Sequence, residues 1–198
     1  MPAAAKGALT RERIVQLAAP VFNKKGYAGA SMADILEATG LQKGGIYNHF
    51  ESKEQLAVEA FDYAIEIMIG RWREAIEGKK HAADRLRAVI SMFNDYQRKL
   101  SGGCPLMNTA IEADDNQPAL RARARKAMDD CRGTVARIAA RGRERGELRA
   151  ATDPDQVATI LISTLEGGLM ISKLYGDPRY LQQAQAQMDR WIEQELRA

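Results

Sequence analysis

The chain has 198 residues, of which 45% are hydrophobic, 28% charged and only 6% aromatic. The hydrophobic fraction excludes an intrinsically disordered chain, and 16 glycines with 6 prolines exclude collagen-like and low-complexity proteins. The net charge is only +3, and two cysteines with two histidines are too few for a disulfide framework, a zinc site or a histidine-based triad.

The first predicted helix begins at a capping residue, Thr10, and ends at Gly26. Its apolar residues recur at helical spacing, which predicts one buried face. Pro20 lies inside this helix, where proline removes a backbone hydrogen bond and collides with the preceding turn. A kink is therefore predicted at Pro20.

Two short helices and one long helix are predicted to follow. Ser31 can cap the first, with Asp34 as its capping-box partner, and Gly40 ends it. The second covers residues 43–50, and Ser52 caps the third, which carries an apolar stripe.

Five further helices complete a predicted all-α fold of nine helices. Residues 86–100 carry apolar side chains at helical spacing, which predicts one continuous helix. A short helix begins at Pro105, and a long helix covers residues 118–145. Asp153 and Asp177 each precede a proline, a pattern typical of a helix start.

The sequence also predicts where the protein is found. The longest uncharged runs, Ser101 to Ile111 and Gln156 to Leu165, are shorter than the ~20 residues that cross a bilayer. The first residues lack the continuous apolar block of a secretory signal. We therefore expect no membrane partner and a cytoplasmic location.

Residues 31–53 are predicted to form a helix-turn-helix. Gly40 can adopt the left-handed conformation that a tight turn needs, and three apolar residues can hold the two helices together. Those residues are Ile35, Leu41 and Ile46. In this motif the second helix lies in the major groove of DNA.

The pattern GxYxHFxxKExL resembles the DNA-binding segment of the TetR family of bacterial transcription regulators, over roughly residues 10–60. The matching residues are Tyr47, His49, Phe50, Lys53 and Leu56. The resemblance implies an N-terminal helix-turn-helix domain, residues 1–51, and a C-terminal helical bundle for effector binding and dimerisation, residues 52–198.

The function that this resemblance implies is a homodimeric repressor that binds a palindromic operator and is released by a small apolar or electrophilic effector. No enzymatic activity, cofactor or metal is expected, because the sequence shows no nucleophile-base pair, metal-ligand spacing or phosphate loop. The alternative is a helical-bundle enzyme or carrier protein with a small N-terminal protein-interaction module.

Physical reasons support the residue types in the predicted DNA-binding site. Tyr47 and His49 can donate to phosphate oxygens, Lys53 adds charge beside a helix N-terminus, and Lys43 can donate to a guanine edge. The glycines beside Lys43 have no side chains that could contact bases, so few direct base contacts are expected and DNA shape can contribute to specificity. The predicted set is Ser31, Met32, Lys43, Gly44, Gly45, Tyr47, Asn48, His49 and Lys53. Phe50 is predicted to be core.

The two cysteines differ in their predicted environments. Cys131 lies on an apolar helix face and is predicted to be a buried hydrophobe. Cys104 precedes Pro105 at a predicted helix start, where unpaired amides can stabilise a thiolate. Some TetR-type repressors sense electrophiles with a cysteine here, and Lys173 could assist; the alternative is a packed, unreactive cysteine.

Two further sites are predicted in the C-terminal bundle. The dimer interface is expected on the last two helices, because small and apolar residues there permit close helix approach. Its predicted residues are Leu161, Thr164, Leu165, Gly168, Leu169, Ser172, Met188 and Ile192. The predicted effector pocket, which combines methionine and aromatic side chains with polar contacts, is Trp72, Phe93, Tyr96, Cys104, Met107, Asn108, Ile111, Glu112, Leu165 and Met170.

Overall fold

The computed structural model of the protein describes residues 3–95, 102–113 and 117–198. Over these ranges the chain forms nine α-helices and no strand, which confirms the predicted all-α class. The helices are α1 (Ala3–Gly29), α2 (Met32–Thr39), α3 (Lys43–Tyr47), α4 (Lys53–Ile76), α5 (Ala82–Met92), α6 (Pro105–Glu112), α7 (Pro118–Glu144), α8 (Pro154–Tyr175) and α9 (Arg179–Trp191).

The helices form two compact units. The first unit comprises Met1–Ile67 with Gln97–Lys126, and the second comprises Met68–Tyr96 with Ala127–Ala198. The boundary between Ile67 and Met68 falls inside α4, and the boundary between Lys126 and Ala127 falls inside α7. The predicted division into residues 1–51 and 52–198 is a division by function, and it stays a prediction.

Helix α1 differs from its prediction at both the start and the kink. It begins at Ala3, earlier than the predicted cap at Thr10. Pro20 lies inside the helix, and the residue with non-helical backbone angles is Gly26, at φ 74° and ψ 170°. The chain turns at Gly26 because glycine adopts a positive φ without the steric cost that a Cβ would bring.

The first unit has its own apolar core under α2 and α3. Ile35 of α2, Ile46 of α3 and Phe50 are at most 1% exposed, and they pack with residues of α1 and α4. The other buried members of this cluster are Ile14, Val15, Ala18 and Leu56. Burial of such side chains contributes about 1.5–3 kcal/mol each, so the short helices depend on this core for their stability.

The second unit buries one face of α8 against α9. Leu165 and Leu169 of α8 are at most 1% exposed, and Leu181 of α9 is 6% exposed. The backbone N–H of Leu181 donates to Ser172 Oγ at 2.8 Å, which joins the two helices at their connecting turn. Gln185 Nε2 donates to the Ile90 carbonyl at 2.9 Å, which ties α9 to α5.

Helix α5 is shorter than the predicted helix over residues 86–100. It ends at Met92, and a 3₁₀ turn covers Phe93–Asp95. A spacing of three residues between apolar side chains fits both helix types, so the sequence pattern cannot separate them. Tyr96 and Leu100, which the prediction placed on the same face, lie outside the described residues.

By length and composition, α8 could span a membrane, with a mean hydropathy of 1.4 over its most apolar stretch. The sequence predicted no membrane-spanning helix because only runs without any charged residue were counted. The mean hydropathy of α8 is high although this stretch includes isolated charged residues. Leu161 and Leu165 of α8 are fully buried inside the second unit. A core helix of a folded unit passes the same test, so this signal is weak.

Candidate nucleic-acid interface and cavities

The N-terminus of α2 carries the predicted capping box. Ser31 Oγ accepts from the Asp34 backbone N–H at 3.1 Å, and Asp34 Oδ2 accepts from the Ser31 backbone N–H at 2.9 Å. Lys25 Nζ donates to Asp34 Oδ1 at 2.7 Å. Hydrogen bonds from Lys25 and then Ser31 lower the pKa of Asp34 to about 2. Gly40 ends α2 at φ 68°, as predicted.

Helix α3 presents a side that packs against nothing else in the described chain. Ile46 is 1% exposed and anchors the helix to the core, whereas Lys43 and Gly44 are exposed. A Cβ added to Gly44 would meet no atom within 4 Å, so protein packing does not require glycine there. Tyr47 is 42% exposed, and Lys43 Nζ lies 5.8 Å from the centre of its ring.

All nine predicted DNA-binding residues belong to the first unit, and none of them is buried. The exposed ones are Ser31, Lys43, Gly44, Tyr47 and Asn48. The half-buried ones are Met32, Gly45, His49 and Lys53. Every member of the set is therefore open to a partner.

Lys53 has a contact within the chain that the sequence did not predict. Its Nζ donates to the Tyr27 carbonyl at 2.6 Å and lies 4.4 Å from the centre of the Tyr27 ring. The side chain thus ties the start of α4 to the end of α1. Ser52 Oγ accepts from the Gln55 backbone N–H at 3.1 Å, which confirms the predicted cap of α4.

Arg11 supports the residues that follow α3, a role that the sequence did not predict. Its guanidinium lies 4.6 Å from the centre of the Phe50 ring and pairs with both carboxylate oxygens of Glu59. Arg11 Nε also donates to the His49 carbonyl at 3.4 Å. Such a bidentate pair fixes the guanidinium, so Arg11 holds the chain after α3 against α1 and α4.

Glu112, predicted to contact an effector, instead binds the backbone of α1. Its two carboxylate oxygens accept from the backbone N–H groups of Tyr27 and Ala28, each at 2.7 Å. A Cβ on Gly26 would lie 2.5 Å from Glu112 Oε2. Gly26 therefore serves both the turn of α1 and the approach of α6.

Asn108, the other predicted polar contact, is also engaged inside the first unit. Its Nδ2 donates to the carbonyls of Asn23 and Gly102, at 3.1 and 2.9 Å. Asn108 and Glu112 do line one cavity together, between α1, α4 and α6. The space there is about 40 Å³, enough for a water molecule or two and too small for a typical effector.

The remaining predicted pocket residues differ in their burial, and their assignment to a common pocket stays a prediction. Ile111 and Met170 are 69% and 47% exposed, so neither side chain is enclosed. Trp72 is 5% exposed and lines a cavity of about 410 Å³ in the second unit. Phe93 and Leu165 are core residues, Cys104 is buried and Met107 is half-buried. Tyr96 lies outside the described residues.

Cys104 and Cys131 are both buried, and neither forms a disulfide. Cys104 is the N-cap of α6, as predicted, and it is 0% exposed. Cys131 is 3% exposed, which confirms its predicted burial. Burial, followed by the charges of Asp130 and Glu166, raises the pKa of Cys131 to about 12, so its thiol stays protonated at neutral pH.

The residues predicted for the dimer interface mostly face the core of their own unit, and their assignment to an interface stays a prediction. Thr164 is half-buried, and the others are buried, namely Leu161, Leu165, Gly168, Leu169, Ser172, Met188 and Ile192. The reason is the close packing of α8 on α9, where a Cβ on Gly168 would lie 2.7 Å from Ala184 Cβ. The exposed apolar residues of α8 are Met170, Leu174 and Tyr175.

Comparisons with known proteins agree along the whole chain. Residues 14–60 match the family model described as bacterial regulatory proteins, tetR family, and residues 82–188 match the tetracyclin repressor-like C-terminal domain. The crystal structure of a TetR transcriptional regulator from Chloroflexus aurantiacus J-10-FL is 45% identical, with a TM-score of 0.93 and coverage of 98% of both chains.

Two more distant proteins extend the comparison. The HTH-type transcriptional repressor DhaR of Mycobacterium sp. (strain GP1) is 25% identical over 83% of this chain and 82% of its own. A regulator from Saccharomonospora viridis, solved in complex with choline, is 22% identical, with a TM-score of 0.83 and coverage of 96% and 99%. The latter shows a shared fold.

Proposed function

Because the chain belongs to the TetR family of bacterial transcriptional regulators, we propose that it is a repressor that binds a palindromic operator as a homodimer and is released by a small effector. The observation that carries this proposal is the helix-turn-helix of the first unit. A capped α2, a left-handed glycine turn and an α3 with an exposed outer side form a surface that a major groove can accept.

The proposed DNA contacts divide into base and phosphate contacts. Lys43 opens α3 and is exposed, so we assign it to a base edge, while Tyr47 and His49 donate to phosphates. Lys53 gives one ammonium hydrogen bond to Tyr27, and two donors remain for a phosphate. The exposed Gly44, which has no side chain, lets the backbone of α3 approach the DNA closely.

The homodimer follows from the symmetry that a palindrome requires. One short helix reads too few base pairs for useful specificity, and a two-fold pair doubles the contacts. The exposed apolar face of α8, with Leu174 at 76% and Tyr175 at 68% exposure, supports an interface on the outward side of this helix. We propose this outward side in addition to the inward-facing set that the sequence suggested.

Release by an effector is supported by the family and by a cavity in the second unit. The choline complex of the Saccharomonospora regulator concerns a protein of the same fold, so the fold can hold a small molecule. We propose that residues 52–198 bind the effector and that the protein acts in the cytoplasm, where the operator is found. An electrophile response through Cys104 requires a local opening of the structure, since its thiol is 0% exposed.

The test is a gel shift with the DNA that flanks the gene of this protein, at several salt concentrations. We expect sequence-dependent binding that weakens as salt rises, because each phosphate contact releases counterions. Replacement of Lys43 by alanine should relax the preference at one operator position, by ~1–3 kcal/mol. Absence of binding at any salt would overturn the proposal and favour the enzyme or carrier alternative.

The same assay can distinguish an electrophile response through Cys104 from reversible ligand binding. N-ethylmaleimide should release the operator from the wild type and from Cys131→Ser, and leave the complex of Cys104→Ser intact. Release that persists in Cys104→Ser would exclude the electrophile response and leave reversible ligand binding as the route to induction.

A further inference from the structure

The second unit contains a groove between α4 and α7 whose floor is apolar. Trp72 and Cys131, at 5% and 3% exposure, lie at its base, and Ile69 and Ile76 flank them. Its volume of about 410 Å³ is within the range of small-molecule sites. Because the Cys131 thiol stays protonated, with its pKa raised to about 12 by burial, the floor carries no charge.

The rim of this groove is cationic. Arg73 of α4 and Arg137 of α7 are both exposed and both line it, whereas the acidic lining residue is Asp130. Two cations against one anion give the lining a net charge of 2 − 1 = +1. A guanidinium is a planar, permanently charged donor that suits carboxylate and sulfonate groups.

Arg137 is held at the groove by its own helix. Its Nη2 donates to Thr134 Oγ1 at 3.0 Å, and the Thr134 hydroxyl donates to the Asp130 carbonyl at 2.8 Å. A Cβ on Gly133 would lie 3.2 Å from Arg137 Nη1, so glycine leaves the space that the guanidinium occupies. Glycine is unfavourable inside a helix, and here it makes room for a placed charge.

We infer that this groove binds a small apolar anion, with its acidic group paired to Arg73 and Arg137 and its apolar body on Trp72. The inference rests on the proposed function, because it names the chemical class of the effector. A neutral molecule would find the same floor without an ionic contact to either guanidinium, and a cation would be repelled by two arginines with Asp130 alone as its counter-charge.

The test uses the free protein without DNA, with the naphthalene sulfonate 1-anilinonaphthalene-8-sulfonate as probe. We expect one probe per chain in a fluorescence titration, with energy transfer from Trp72 that Trp72→Phe removes. Arg73→Gln and Arg137→Gln should each raise the dissociation constant about tenfold, as expected for the loss of one charge-assisted contact. Thr134→Val, which removes the hydroxyl that anchors Arg137, should weaken binding in the same direction.

Two matched controls make the result decisive. Arg141→Gln removes an exposed arginine one turn further along α7 and outside the groove, and should leave the affinity unchanged. The neutral analogue N-phenyl-1-naphthylamine should bind more weakly and should not respond to Arg73→Gln or Arg137→Gln. Equal affinities for both probes, or an anion affinity independent of both arginines, would overturn the inference.

Failure here can be told from failure of the proposed function. Operator binding of the wild type and Arg137→Gln is measured separately by gel shift, because Arg137 lies outside the predicted DNA-binding set. Intact operator binding without arginine-dependent probe binding would overturn the groove alone, whereas absent operator binding would overturn the repressor proposal.

Discussion

At the scale of single residues, the start of α2 depends on side chains whose partners are within nine positions along the chain. Asp34 shows this most clearly, because Ser31 and Lys25 both contribute to its environment. The Ser31–Asp34 pair is set by helix geometry and forms wherever α2 forms, whereas the Lys25 contact joins α1 to α2.

The first prediction concerns the pH dependence of stability. The pKa of Asp34 is about 2 in the folded protein, lowered by hydrogen bonds from Lys25 and Ser31, against 3.8 for an ordinary aspartate. Its contribution to stability is therefore complete above pH 3.8 and is lost as the pH falls towards 2. As the pH falls through this range, the melting temperature of Asp34→Asn should decrease less than that of the wild type. The melting temperature of Glu37→Gln, on the exposed side of the same helix, should decrease as much as that of the wild type. Identical losses in all three proteins would contradict the role of Asp34.

The second prediction tests why α3 carries a glycine that packing does not require. Gly44→Ala should keep or raise the melting temperature, because alanine favours a helix by about 1 kcal/mol over glycine and the added Cβ meets no atom within 4 Å. Operator affinity should fall, because the methyl group stands where the DNA approaches. Gly70→Ala, at another helical glycine with open space around its Cβ, should stabilise the protein and leave operator affinity unchanged. Equal affinities of the two variants would argue against close approach at Gly44.

At the scale of elements, the link between α6 and α1 is made of side-chain hydrogen bonds to backbone groups. Glu112 takes the two N–H groups of Tyr27 and Ala28 just after the turn at Gly26. These N–H groups follow a break in the helix and so lack the regular partners that a continuous helix would supply. Glu112 thus completes the end of α1 from another helix.

The third prediction follows from this link. Glu112→Ala should lower stability by about 1 kcal/mol and speed hydrogen exchange at the Tyr27 and Ala28 amides, because their acceptor is removed. Glu112→Gln keeps one carbonyl oxygen and should have about half the effect. Gly26→Ala should cost more than either, since it adds strain at a φ of 74° and a clash with the carboxylate. Unchanged exchange in Glu112→Ala would show that water replaces the carboxylate without cost.

At the scale of the whole molecule, the two faces of α8 have different roles. The inner face holds the second unit together through residues such as Leu169, at 1% exposure, and the outer face shows Leu174 and Tyr175 to solvent. Met170, at 47% exposure, lies one turn before Leu174 on the same helix. Exposed large apolar residues that cluster on one helix are typical of an association surface.

The fourth prediction separates assembly from folding. Leu174→Glu should shift the protein towards monomer in sedimentation and weaken operator binding, while the melting temperature of the monomer stays unchanged, because the side chain is 76% exposed. Leu169→Ala should instead destabilise the fold by about 2–5 kcal/mol through a core cavity. Ile111→Glu places the same change at an exposed apolar residue of the first unit and should leave the dimer intact. A dimeric Leu174→Glu would move the interface away from this face.

The sequence determined the all-α class, the helix starts at Ser31, Ser52 and Pro105, and the turn at Gly40, because caps and turn residues act over a few positions. It also identified Cys131 as buried from the apolar stripe of its helix, and Phe50 as buried from its place at a helix end that faces the first helix. The DNA-binding assignment remains a prediction, with every residue of the set accessible.

Only the tertiary structure decided which apolar stripe faces inward and which polar side chains are already occupied. Helix α8 is apolar on several sides, so periodicity could not tell the core face from the face with Leu174. Lys53, Asn108 and Glu112 were predicted to contact ligands, and each binds backbone groups at least six residues away along the chain. Such contacts depend on how separate helices pack against each other, and the spacing of residues along one helix does not predict that packing.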